Sequence, residues 1–245
     1  MKVALCFAGQ PRDVVATYNN IVKNVIIPNG IQDIFVHTWY RPEFETLGYP
    51  QNGDGGRLVY MNKMTLKFIE DNYKPKKMVV QNDLDFKFYS NDQMENFTTE
   101  AWRSGGHLQK RWCPCFYSRY ISSTLKNQYK SENSIEKYDA VIISRFDNYF
   151  RKEIIIEQLD LSKINAPVLW RRNHIDINFV GDLLTVGNEK NVDTYCDIYN
   201  HLPAISHNLD NFFPERFIGQ WFIMNNIEFC EPFNCPEDVV MYRDK

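Results

Sequence analysis

The chain has 245 residues, 44% hydrophobic and 15% aromatic, a composition that excludes intrinsic disorder and suits one large α/β domain or a domain with a modest insertion. A formal net charge of −3 argues against a dedicated nucleic-acid binder, although a local basic patch is compatible with it. No segment approaches the roughly 18 apolar residues of a membrane span, so a protein without one is expected, in the cytoplasm.

The opening residues, MKVALCFAGQPRD, carry an apolar run too short for a secretion signal and ended by Gln10, Pro11, Arg12 and Asp13. Residues 2–8 therefore read as the first strand. Residues 14–27 place Val14, Tyr18, Ile21, Val22 and Val25 at helical spacing, and Pro28-Asn29-Gly30 ends that helix. Asp33–Trp39 is the second strand, which completes a βαβ unit and predicts a right-handed crossover to a parallel neighbour. Residues 41–57, rich in Gly, Pro, Asn and Glu, read as a loop. A helix over 64–73 is broken by Lys74-Pro75, and 76–81 is a third strand. Residues 82–106 lack a clear period, which reads as a lid or an insertion.

The spacing predicts a helix over 116–129, with Phe116/Tyr120, Tyr117/Ile121 and Ile121/Leu125 on one stripe. It feeds a strand over 138–144. A charged segment follows at 151–163, then strands near 168–170 and 179–186 and a helix over 191–200. Phe213-Pro214-Glu215 opens another helix, Asn225-Asn226 closes it, and 227–230 is a last strand. Strand and helix alternate through the first 150 residues, the pattern of an α/β protein with a mostly parallel sheet; the second half reads as mixed.

None of the six cysteines forms a CxxC pair, so a zinc knuckle is not expected and free thiols in a reducing compartment are. Asn96-Phe97-Thr98 is a formal glycosylation sequon, given no weight in a chain read as having no secretion signal.

The chemistry concentrates where strands end. In YDAVIISRFDNYF, residues 138–150, a buried apolar strand stops at Arg145-Phe146-Asp147. The carboxyl ends of strands are where open α/β sheets hold ligands. Arg145 and Asp147, two apart, share a side if the extended geometry continues, and suit a phosphate or a metal holding one. The plain alternative is a surface ion pair worth about 0–1 kcal/mol. After strand one, Gly9 permits close backbone approach, Gln10 offers an amide and Arg12 a phosphate-binding fork; an ordinary turn is the alternative. Neither GxGxxG nor a P-loop is present. His37 ends strand two on the same edge, although a lone histidine is more often a hydrogen-bonded structural residue. Gly105-Gly106-His107 with Lys110, Arg111 and Trp112 forms a basic, aromatic patch that reads as a phosphate cover or a solvated loop. Asp182 interrupts an apolar run and needs a partner or a cleft. Glu215 lies in a first helical turn, where its charge also suits the helix dipole.

With these residues placed, the chain resembles small glycosyltransferase-like proteins of the GT-A type found in bacteria and large DNA viruses. The resemblance runs through ALCFAGQPR, DIFVHTW, YDAVIISRFD, VGDLLTVGNEKNVDTY and PERFIGQWFIMNNIEF, which span most of the chain. It implies a single GT-A-like domain over 1–245, with a nucleotide-binding half near 1–150 and an acceptor-side half near 151–245. It also implies a UDP- or GDP-linked sugar donor, a glycan acceptor, and Mn2+ or Mg2+ held by a DxD motif. Here Arg145 stands where the first Asp belongs, so Asp147 alone matches a metal carboxylate. Either Asp147 holds the metal with help from elsewhere, or Arg145 partly replaces it. On this reading Gly9, Gln10, Arg12, His37, Arg145 and Asp147 bind the donor. Asp182 is the first candidate base and Glu215 the second, and the acceptor lies against Trp112, Trp170 or Trp221. The competing expectations are a nucleotidyl-, sulfo- or phosphotransferase, an inactive homologue, and a non-catalytic carbohydrate- or nucleotide-binding module.

Overall fold

The structure, a computed structural model, describes residues 1–41, 49–50, 58–59, 63–82, 113–168, 180–206, 214–235 and 237–241. The 83–106 stretch, the sequon, the basic patch at 105–112 and Trp170 lie outside the described residues.

In chain order the strands are Val3–Gly9 (β1), Asp33–Trp39 (β2), Tyr49–Pro50 (β3), Leu58–Val59 (β4), Lys77–Gln81 (β5), Ala140–Ser144 (β6), Asn148–Phe150 (β7), Ile164–Val168 (β8), Leu184–Gly187 (β9), Phe229–Asn234 (β10) and Val239–Met241 (β11). The α-helices are Val14–Ile21 (α1, continued by a π-helical turn over Val22–Ile26), Lys63–Tyr73 (α2), Cys113–Glu132 (α3), Glu189–Cys196 (α4), Ile198–Ser206 (α5) and Pro214–Met224 (α6).

The fold is α/β. Seven strands form one mixed, mostly parallel sheet in the order β5-β2-β1-β6-β9-β8-β10. Only β9 runs against the others. The register pairs Gly9 with Thr38, Phe7 with Ser144 and Trp39 with Gln81, so β1, β2, β5 and β6 end along one edge. β7 and β11 pair separately as a short antiparallel ribbon, as do β3 and β4.

Alternation along β1 decides how the helices pack. Ala4, Cys6 and Ala8 face the layer of α3 to α6, and their small side chains let α3 lie close to the sheet. Val3, Leu5 and Phe7 face the other layer, with Val14, Ile21 and Val25 of the first helix and Ile69 and Tyr73 of α2. Helices thus cover both faces, as a sheet buried on both sides requires.

Helix α3 differs from its expected apolar stripe. Tyr117, Tyr120 and Ile121 are only half-buried, and the fully buried face carries Ser118, Arg119, Ser122, Ser123 and Lys126 between Phe116 and Leu125. Lys126 has no solvent exposure; its Nζ meets Glu189 Oε1 and Asp193 Oδ1, each at 3.0 Å. Burying an ammonium demands such partners.

Four other expectations shift. The strand near 168–170 lies at Ile164–Val168, held where Ile164 N–H donates to the Glu228 carbonyl. The strand expected near 179–186 begins, among the described residues, at Leu184, and 180–183 are outside it. The helix over 191–200 is two helices: Asn188 Oδ1 caps α4 by accepting from Asn191 N–H at 2.9 Å, and Ile198 begins α5. The last strand of the sheet is Phe229–Asn234.

A polar seam joins α1 to the segment after β6. Thr17 Oγ1 donates to the Phe146 carbonyl at 2.6 Å, and Asn24 Nδ2 to the Phe150 carbonyl at 3.0 Å. Asn20 does both jobs of a strand neighbour: its Oδ1 accepts from Phe150 N–H at 2.7 Å and its Nδ2 donates to the Phe150 carbonyl at 2.9 Å. Among the described residues no helix is long and apolar enough to cross a membrane. Asn20→Ala removes the side-chain acceptor of Phe150 N–H and one of the two side-chain donors to its carbonyl, Asn24 remaining, and is expected to cost about 1–2 kcal/mol in urea unfolding, while Asn19→Ala on the exposed face is near neutral.

Candidate functional site at the carboxyl edge of the sheet

β6 stops at Ser144 and the chain turns, so Arg145 and Asp147 meet across a turn and not along an extended strand. The turn tucks Phe146 inward, where its ring stacks on Phe7 with centroids 4.6 Å apart. Arg145 then forks onto Asp147, Nε to Oδ1 at 2.8 Å and Nη2 to Oδ2 at 2.7 Å. The Asp147 side chain is 4% exposed and that of Arg145 25%. This is a buried bidentate pair, not a surface ion pair of small worth. Burial alone would raise the Asp147 carboxyl; the Arg145 guanidinium, with Arg12 adding, holds it below the usual carboxylate range. Burial likewise opposes the charge of Arg145, and Asp147 followed by Asp182 more than offsets it.

The β1 turn lies on the same edge. Gly9 has φ +112°, a conformation that favours glycine. Arg12 N–H donates to the Gln10 carbonyl at 2.8 Å, and Arg12 Nε donates to Gln10 Oε1 at 2.7 Å. Gln10 therefore holds the arginine in place. The charge of Arg12 reaches both Asp147 and Cys115.

A third arginine, absent from the sequence reading, completes the cluster. Arg119 of α3 is buried, with its guanidinium 5.5 Å from the Phe116 ring centre and 5.7 Å from that of Tyr195. Its Nη2 donates to the Asp182 carbonyl at 2.8 Å and meets Oδ2 at 3.3 Å. Its Nη1 is buried without a hydrogen-bond partner. Asp182 thus has the partner that its place in an apolar run demanded, and its Oδ1 accepts no hydrogen bond from the described protein. Cys115 lies among these charges; burial raises its thiol, and Arg119, Arg145 and Arg12 only partly reverse the shift. The signal for Arg119 was a cation on the stripe of Phe116, where three serines and Lys126 also fall.

Glu215 sits in the first turn of α6, and its backbone carbonyl accepts from Val180 N–H at 3.3 Å. The two candidate bases therefore belong to adjoining segments. His37 is placed differently: it is fully buried beneath the edge, with Nδ1 2.7 Å from Ser118 Oγ and Nε2 2.7 Å from Gln81 Oε1. With Gln81 as acceptor the proton sits on Nε2 and Nδ1 accepts from the serine. Both nitrogens are used inside the fold, so His37 acts as a pin between β2, β5 and α3.

A metal on Asp147 fits these residues poorly. The fork covers both oxygens, the carboxylate is nearly closed to solvent, and a cation there would face Arg145 and Arg12. Among the described residues no group of three His, Cys, Asp or Glu side chains is arranged to hold an ion.

Trp221 is 5% exposed, donates Nε1–H to the Thr194 carbonyl at 2.7 Å, and carries the His201 ring stacked at 4.6 Å. It borders a groove of about 570 Å³ on the helical layer with Tyr120, Asn127, Asp193 and Asn225, sharing no residue with the arginine cluster. The class that the fold defines is an α/β protein with a mostly parallel mixed sheet, here with arginines and aspartates clustered at the strand ends. No protein-family model matches the chain, and a search of the curated proteins finds no match either.

Burial drops the His37 pKa from 6.5 to about 4 against a weaker opposing hydrogen bond from Gln81. The unfolded chain takes up its proton first, so the stability linked to His37 is full above about pH 6.5 and falls as pH drops toward 4, by roughly 2–3 kcal/mol. His37→Gln is expected to lose less stability than wild type between pH 7 and pH 4.5 in urea titrations; equal losses would refute this account of the histidine.

Proposed function

We propose that this protein is a nucleotide-sugar-dependent glycosyltransferase of GT-A-like architecture, with the donor diphosphate at the carboxyl edge of β1 and β6 and a glycan as acceptor. One observation carries the reading: Arg12, Arg119 and Arg145 gather with Asp147 and Asp182 where parallel strands end. The resemblance in ALCFAGQPR, DIFVHTW and YDAVIISRFD supports it independently.

The chemistry suits these groups. The bond between the anomeric carbon and the diphosphate oxygen breaks, and its electron pair leaves with the diphosphate. A bond forms from the acceptor hydroxyl oxygen to the same carbon, and the hydroxyl proton passes to a base. Fixed guanidinium groups stabilise the charge that develops on the leaving group. Arg145 contributes directly: among the described residues its Nη1 makes no hydrogen bond, while Nε and Nη2 are anchored. Asp182 is the base of choice for an inverting transfer because Oδ2 is steadied by Arg119 while Oδ1 accepts no hydrogen bond from the described residues. Gln10 and Gly9 line the approach to the nucleotide.

Thermal unfolding with a panel of nucleotides tests this reading. UDP, GDP or one of their sugar conjugates is expected to raise Tm by several degrees, and CTP, ATP and PAPS to leave it unchanged. Stabilisation by one of the latter three alone would replace glycosyl transfer by nucleotidyl, phosphoryl or sulfuryl transfer. Binding of a nucleotide sugar without hydrolysis or transfer would make the protein a binding module.

A further inference from the structure

Resting on the transferase reading, we infer that the diphosphate is held and neutralised by arginine alone, with Arg145 and Arg119 in the place of a divalent cation. Asp147 is then a positioning residue for Arg145 and not a metal ligand.

Four observations converge. Asp147 spends both oxygens on the Arg145 fork and is 4% exposed, so a hydrated ion has no approach to it. The fork uses Nε and Nη2, and among the described residues Nη1 of this 25%-exposed side chain makes no hydrogen bond, which suits it to an anion. Arg119 holds a buried Nη1 with no partner, a donor whose desolvation cost is recovered only when an acceptor arrives. The Asp147 carboxylate already feels the charges of Arg145 and Arg12, and burial keeps the Cys115 thiol from adding a negative charge. A divalent ion at Asp147 would meet those guanidinium groups at close range and be repelled, whereas an anion would be attracted.

The division of labour follows from arginine's shape. A guanidinium has five donors in a rigid plane. In Arg145 two donors fix the group to Asp147, and among the described residues the rest have no partner. A lysine at position 145 would satisfy Asp147 as a point charge and lose that geometry.

Calorimetric binding of the full chain to inorganic pyrophosphate, UDP and GDP, each in EDTA and each with Mn2+, tests the inference. Pyrophosphate and one nucleoside diphosphate are expected to bind in EDTA, with affinity changed by less than about threefold on adding Mn2+. Arg145→Gln is expected to weaken both by at least about tenfold, the loss of one charge-assisted hydrogen bond. That substitution strands Asp147, so the double variant Arg145→Gln/Asp147→Asn, which pairs two neutral amides, is measured beside it; it is expected to keep the far-UV circular dichroism of wild type and to bind as weakly. Binding that appears only with Mn2+ overturns the inference and leaves the glycosyltransferase reading standing. Pyrophosphate bound in EDTA through Arg145 with no nucleoside diphosphate bound keeps the arginine site and removes the glycosyltransferase reading. No binding of any probe in either condition overturns both.

Discussion

The turn after β6 is held from three sides, and the edge of the sheet takes its chemistry from that. From above, Thr17 binds the Phe146 carbonyl and Asn20 binds both backbone groups of Phe150. From within, Phe146 lies flat on Phe7 of the neighbouring strand. From the segment before β9, the Leu183 carbonyl accepts from Asn148 Nδ2 at 2.7 Å, and that same amide reaches Ser144 Oγ at 3.0 Å. A turn fixed at both ends and through its middle residue has few ways to move. Arg145 and Asp147 project from it into one geometry, and the ion pair forms with little further entropy to lose. The pair is a consequence of the backbone constraint and not its cause.

Preorganisation of this kind has a chemical use. Charged groups in water reorient when charge shifts in a reaction, and that reorientation is part of the barrier. Groups already fixed do not have to. Arg12 is steadied by Gln10, Arg145 by Asp147, and Arg119 by the Asp182 carbonyl and two aromatic rings. Each cation has an anchor on the protein side, and the three anchors come from β1, the β6 turn and the β9 turn. Helix α3 joins them to the rest of the fold. Its buried face also carries Ser118, bonded to His37, and Lys126, bonded to Glu189 and Asp193. A shift of α3 along the sheet would disturb all of these contacts together.

The sheet half of this arrangement was legible in the sequence. Apolar runs in residues 3–9, 34–36 and 140–143 mark strands buried on both faces, and the short βαβ connection implies the parallel order of the first two. Gly9, Arg12, Arg145 and Asp147 could be placed at one edge by that logic alone. Arg119 could not, because a period count over α3 weighs apolar residues and finds Tyr117, Tyr120 and Ile121. The face that is truly buried carries serines and cations, whose burial depends on partners from distant elements such as Asp182 and Asp193. No local pattern reports such partners. His37 shows the converse: its position at a strand end was readable, but its two hydrogen bonds come from α3 and β5, so its inward pose was not. The β7–β11 ribbon was missed for a similar reason, since three-residue strands carry almost no period.

The reversal of β9 explains why Asp182 belongs to the site at all. In a wholly parallel sheet, the segment preceding a strand lies at the amino edge, far from the ligand side. β9 runs against β6, with Leu184 opposite Ser144 and Gly187 opposite Val141. The residues that lead into it are therefore carried to the carboxyl edge, beside Arg145 and under α3. Gly181 makes the approach possible: a Cβ there would lie 2.3 Å from the Pro167 carbonyl oxygen at the end of β8, closer than any side chain tolerates. The Gly181-Asp182 pair thus combines two requirements at one place, a residue without a side chain to pass β8 and a carboxylate to meet Arg119. One antiparallel strand in an otherwise parallel sheet turns a connecting loop into part of the candidate catalytic edge, and it does so by direction alone.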